Sequence, residues 1–158
     1  MSLIVETGEG LSSAESYISV ADAATYCTAH GLTAWTGTDG VKEAALRNAT
    51  QYIDTMYTFR SAKTYYLQAL EFPRQMWDWD DDPLMDRLRS ATVELAVKAL
   101  TASLFADVEP SVTTMVKVGP ITKQMTPVNT GGQKRYAAID ALLKQLTTGL
   151  GGVQVVRA

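Results

Sequence analysis

Residues 83–106 read PLMDRLRSATVELAVKALTASLFA, and this stretch decides the fold. Proline is favourable in the first turn of a helix, because its missing N–H would have no partner there anyway. Leu84, Leu88 and Ala91 then share one side, with Asp86, Arg87 and Arg89 elsewhere. From 91 onward the run is apolar nearly all round, with Glu94 and Lys98 spaced to pair on its one polar strip. A helix of that kind is enclosed on most sides. The stretch predicts the longest helix of the chain, too apolar for a small monomer to cover easily.

Toward the N-terminus, Ala45, Ala49, Tyr52, Ile53 and Met56 give a second helix over 41–57 one apolar face, with Glu43 and Arg47 pairing on its wet side. Ser19 is a natural N-cap for a helix through His30 that stops at Gly31. Val20, Ala23, Ala24 and Cys27 supply its stripe. Residues 33–40 read as loop, and 3–5 as a strand or extended arm closed by Gly8 and Gly10. Between the second and the longest helix, 64–70 reads as a short helix. Phe72 before Pro73 must be extended, and 77–83 reads as an acidic loop.

On the C-terminal side, 112–118 and 121–126 read as a β-hairpin turning at Gly119 and Pro120. Tyr136, Ile139, Leu142, Leu143 and Leu146 mark a last helix over 136–147. Gly149, Gly151 and Gly152 form a hinge before the strand-like residues 153–156, within a C-terminal arm over 149–158. The expected class is α+β, mostly α: one domain over 1–158, made of a helical core (19–106), a hairpin (112–126), a C-terminal helix and extended N- and C-terminal arms.

At 158 residues, 46% hydrophobic and 20% charged, the chain is neither disordered nor collagen-like. No apolar run reaches the roughly 20 residues that span a bilayer. The first residues lack the basic region of a signal peptide. A single cysteine excludes an intramolecular disulfide and fits a reducing compartment. The net charge of −3 hides an asymmetry: residues 1–109 balance at −8 and residues 110–158 at +5. Such a dipolar chain can stack head to tail, or turn its basic end toward nucleic acid or an acidic partner.

No catalytic or metal constellation is expected. Cys27 and His30 lie one helical turn apart, but no second Cys or His completes a zinc site. A core thiol and a histidine at a helix end explain them as well. Asp78, Asp80, Asp81, Asp82 and Asp86 suggest a calcium loop, yet Pro83 stands where glycine is needed and Arg89 where glutamate is. Those carboxylates suit the start of the following helix, with Trp77 and Trp79 anchoring the loop. The glycine pairs near 8–10 and 131–132 lack the spacing of nucleotide-binding loops. The chain is expected to be no enzyme and to need no cofactor or metal.

Tyr57, Phe59, Arg60, Lys63, Tyr65 and Tyr66 interleave rings with positive charge, the composition of a single-strand-binding platform. The bland alternative is that these rings seal a junction between helices.

Several stretches resemble a phage and prophage family labelled DnaT-like single-stranded-DNA-binding proteins. They are residues 3–11, 14–17, 21–26, 45–50, 70–74 (Leu-Glu-Phe-Pro-Arg), 92–100, 116–121 and 136–143. The same layout resembles head–tail connector (adaptor) proteins of long-tailed phages. That second resemblance implies a structural virion protein, a ring subunit, commonly one of twelve, lining the DNA passage between portal and tail completion or neck proteins. It implies assembly in the host cytoplasm and a place in the virion neck. Ring and portal contacts would then fall on Val116, Val118, Ile121, Val153, Val155, Val156 and Arg157. Lys117, Lys123, Lys134 and Arg135 would face packaged double-stranded DNA or an acidic partner. The alternative expectation is a DnaT-like replication protein that binds single-stranded DNA through residues 57–66.

Overall fold

A computed structural model describes residues 2–105, 116–118, 121–123 and 135–148. The chain divides into two compact units, Met1–Leu104 with Tyr136–Ala158, and Phe105–Arg135.

Among its described residues the larger unit holds four helices: α1 (Val20–Ala29), α2 (Asp39–Met56), α3 (Pro83–Ala99) and α4 (Ala137–Leu143). Ser19 caps α1 by accepting from the Asp22 N–H, as its sequence predicts. Asp82 caps α3 through the Leu84 N–H, with Pro83 in the first turn. The core lies where α3 meets α1, α2 and α4. Leu46, Ala49 and Ile53 of α2, Leu88, Ala91, Val93, Leu95 and Ala96 of α3, and Ile139 and Leu143 of α4 are wholly buried there.

Three expectations need correcting. The class is helical, not α+β, because the larger unit contains no sheet among its described residues. Of the hairpin expected over 112–126, only 116–118 and 121–123 are described, and they form one short pair in the smaller unit and no larger sheet. What pairs is β1 (Val116–Val118) with β2 (Ile121–Lys123), a three-residue ladder in the smaller unit with Val116 opposite Lys123 and Val118 opposite Ile121. Second, the N-terminus is no free arm. Val5 bridges Ser16, and the Glu15 N–H donates to the Ile4 carbonyl at 2.8 Å, so the segment doubles back on itself. The C-terminal arm, 149–158, lies outside the described residues. Third, α3 stops at Ala99, seven residues early. The Thr101 hydroxyl and the Thr101 and Ala102 N–H groups all donate to the Lys98 carbonyl, which tightens and ends the last turn.

The chain itself covers the apolar side of α3, contrary to expectation. Among the described residues the large exposed apolar side chains are Ile4, Val41, Tyr65, Tyr66, Leu67 and Met76, none of them in α3. Glu94 receives the Tyr26 hydroxyl at 3.5 Å, and Lys98 lies over the Tyr136 ring at 5.5 Å. Glu43 and Arg47 do pair, at 3.5 Å, and Arg47 also reaches Glu15 at 2.9 Å.

Candidate nucleic-acid interface

The segment between α2 and α3 carries the surface of interest. The sequence predicts a short helix over 64–70, but the structure holds a loop there. Its two ends run together: Lys63 bridges Arg74, the Thr64 N–H donates to the Pro73 carbonyl at 3.2 Å, and the Gln75 N–H to Ala62 at 3.1 Å. The apex is turned by Gln68, whose buried side chain accepts from the Tyr65 N–H and donates to the Leu70 and Pro73 carbonyls. That amide satisfies backbone groups a helix would otherwise pair.

Arg74 holds the base of this loop. Its buried guanidinium donates to the carbonyls of Phe59, Arg60, Ser61 and Glu71 and pairs with the Glu71 carboxylate. It lies over the rings of Phe59 and Phe72, 5.4 and 5.7 Å from their centres. The Phe72–Pro73 peptide is cis. Beneath the loop, the Asp54 carboxylate accepts from the Tyr17 hydroxyl and from the Glu71 N–H. Burial pushes the Asp54 carboxyl up to about 6, and burial beside Asp54 raises the Tyr17 hydroxyl well above its usual range.

The N-terminal turn braces the loop from one side. The buried Glu6 carboxylate accepts from the N–H groups of Thr7, Gly8, Gly10 and Leu11 at 2.8–3.1 Å and so folds this turn around itself. Leu11 then receives the Ala69 N–H at 3.0 Å. Gly10, at φ +67°, lies against Tyr65 so closely that a Cβ there would come within 2.2 Å of the ring. Gly8 makes the same close approach to Trp79.

The result is an aromatic ledge. Tyr66 is 98% exposed, Leu67 75%, Met76 62% and Tyr65 47%. Arg60 is exposed beside it in sequence, its Nε–H donating to the Thr147 carbonyl at 2.7 Å, and half-buried Lys63 pairs with Glu71 at 3.1 Å. A cleft of about 400 Å³, lined by Thr64, Pro73, Trp77 and Trp79, adjoins the loop. Glu9, Asp78 and Asp80 also line it, and their charge disfavours phosphate inside.

The six residues of the ring-and-cation stretch therefore divide. Tyr57 and Phe59 are buried, the first donating to Asp140 at 2.6 Å, which is the helix-sealing role. Arg60, Lys63, Tyr65 and Tyr66 reach the surface. Glu6, Gly10, Asp54, Gln68, Leu67 and Met76 were missed by sequence reasoning. Residues 70–74, Leu-Glu-Phe-Pro-Arg, are one of the family-resembling stretches and supply Arg74 at the loop's base.

The other sequence-derived residues fall elsewhere. Val116, Lys117, Val118, Ile121 and Lys123 lie in the β1–β2 ladder. Arg135 is exposed, two positions before α4 in the sequence. Lys134, Val153, Val155, Val156 and Arg157 lie outside the described residues. Cys27 is buried, which raises its thiol pKa, whereas His30 is exposed and stacks on Tyr26 with ring centres 3.9 Å apart. Asp78 accepts from the Asp80 and Asp81 N–H groups, and Asp86 pairs with Arg89 at 3.0 Å. Among the described residues, no group of His, Cys, Asp and Glu gathers as a metal site would require.

Fold and surface together define a small helical protein whose most distinctive exposed feature is a ledge of rings on a rigid base. The chain belongs to the family described as "Putative DnaT-like ssDNA binding protein", whose model matches residues 1–158. No curated protein and no solved structure gives a significant match. The family match corrects the connector expectation: it points to single-stranded DNA, and not to a phage virion, a neck adaptor, a ring or a portal partner.

Proposed function

We propose that this protein binds single-stranded DNA without catalysing a reaction on it, and that the Tyr65–Tyr66 ledge is where bases stack. The observation that carries the reading is Tyr66, a large ring almost wholly in solvent at the tip of a loop whose base is buried and fully hydrogen-bonded. Exposing such a ring forgoes the gain of burying it, roughly 2 kcal/mol, so an occupant that covers it is favoured. A nucleobase fits, since every base has a π-face, and each stacked base contributes about 1–3 kcal/mol. Duplex DNA keeps its base faces stacked on one another and offers the ledge little. Exposed Arg60 supplies positive charge near the start of the same segment for the phosphates between stacked bases, whereas the Lys63 charge is already met by Glu71. The family assignment over the whole chain supports the same ligand.

Fluorescence anisotropy of a labelled oligo(dT) at low salt tests this. The expected result is saturable binding that duplex DNA of equal length does not match. Tyr66→Ala, which removes no packing, should weaken it by at least about fivefold. Failure to bind any single strand at low salt would overturn the proposal.

A further inference from the structure

The two tyrosines of the ledge are not equivalent, and the difference bears on how a strand is held. Tyr65 is about half covered: its ring lies against Gly10, and its N–H is tied to Gln68 at 3.0 Å. It offers a base one free face. Tyr66 is 98% exposed, so neither face of its ring is taken by protein. A ring with one free face is a platform, and a ring with two can sit between neighbours. We infer that Tyr66 inserts between two adjacent bases of the strand while Tyr65, fixed by Gly10, closes one end of the stack. This rests on the single-strand reading and adds to it a mode of binding and a preferred ligand class: strands whose adjacent bases part easily.

The two modes predict opposite base preferences. A platform gains with the area it covers, so it favours purines. Insertion first separates two neighbouring bases and loses their mutual stacking, as apolar wedges do in duplex DNA. Oligo(dA) stacks strongly on itself and resists parting. Oligo(dT) stacks little and opens at small cost, the origin of pyrimidine preference in single-strand binders. Insertion through Tyr66 therefore selects oligo(dT) over oligo(dA). The neighbouring side chain agrees with this mode: Leu67 is apolar and 75% exposed, and would cover a parted base without reading its edge.

The experiment is a competition between unlabelled oligo(dT) and oligo(dA) for the protein bound to labelled oligo(dT). The expected preference for oligo(dT) is about fivefold or more, set by the self-stacking that oligo(dA) loses on parting and oligo(dT) does not. Tyr66→Ala should abolish the preference and Tyr66→Phe should keep it. Tyr65→Ala should weaken both strands by a similar factor and leave their ratio unchanged. A preference for oligo(dA), or a preference for oligo(dT) that survives in Tyr66→Ala, overturns the insertion and leaves the single-strand reading standing. Absence of binding to either strand overturns both.

Discussion

Asp54 is the residue whose chemistry departs furthest from its ordinary state among the carboxylates. Its carboxyl titrates near 6 in the folded chain, because burial disfavours its charge, against 3.8 when exposed. Folding therefore favours the protonated form. The stability this group contributes is fully present below pH 3.8 and is lost as pH rises through 6. A gap of about two pH units corresponds to roughly 3 kcal/mol. Glu15 works the other way. Its hydrogen bonds from Arg47 and the Ile4 N–H hold its carboxyl below the usual range, but its side chain is more than a third open to solvent and its effect on stability is small. The melting temperature should accordingly rise as pH falls from 7 to 5, and the rise should vanish in Asp54→Asn. Asparagine keeps an acceptor for the Glu71 N–H and has no proton to gain. A wild-type melting curve that does not move between pH 7 and 5, or one that moves equally in the variant, would remove Asp54 as its cause.

The loop between α2 and α3 shows why long-range polar contacts outweigh local propensity. Thr64 through Leu70 has a serviceable helical pattern, and nothing local forbids a helix there. What prevents one is Gln68 and Arg74 recruiting backbone groups from 59–61 and 70–73, contacts that no periodicity announces. Helices α1 and α2 are legible because their apolar stripes repeat every turn, and the start of α1 because Ser19 caps it. Lysine at position 74 has three donors on a rotating head and no planar fork, so it cannot serve the four carbonyls and Glu71 together. Arg74→Lys should therefore lose about 2 kcal/mol or more of stability in urea unfolding, since each buried carbonyl left without a donor costs roughly 1–3 kcal/mol. Proteolysis should reach the 61–68 segment sooner than in the wild type. If the lysine variant unfolds at the same urea concentration, the guanidinium fork is not what holds the loop.

Across the whole molecule, the burial of α3 and the charge asymmetry bear on different properties. An all-round apolar helix tells that neighbours exist and not whose they are; here α1, α2 and α4 supply them, which removed the main argument for other copies. The asymmetry belongs to the sequence and remains, −8 over residues 1–109 and +5 over residues 110–158. A polyanion is opposed by the first charge and drawn by the second, so affinity and base preference should arise from different residues. Lys117, Lys123, Lys134 and Arg135 carry four of the six positive charges of the basic segment. For single strands the logarithm of the binding constant falls with the logarithm of salt at about 0.7 per phosphate neutralised. Replacing all four by glutamine should flatten that slope by up to roughly 3 and weaken binding to oligo(dT) and oligo(dA) alike. The ratio between the two strands, set by Tyr66, should not change. A slope untouched by the fourfold variant would put the phosphate contacts on other cations, with Arg60 and Lys63 the next to be replaced.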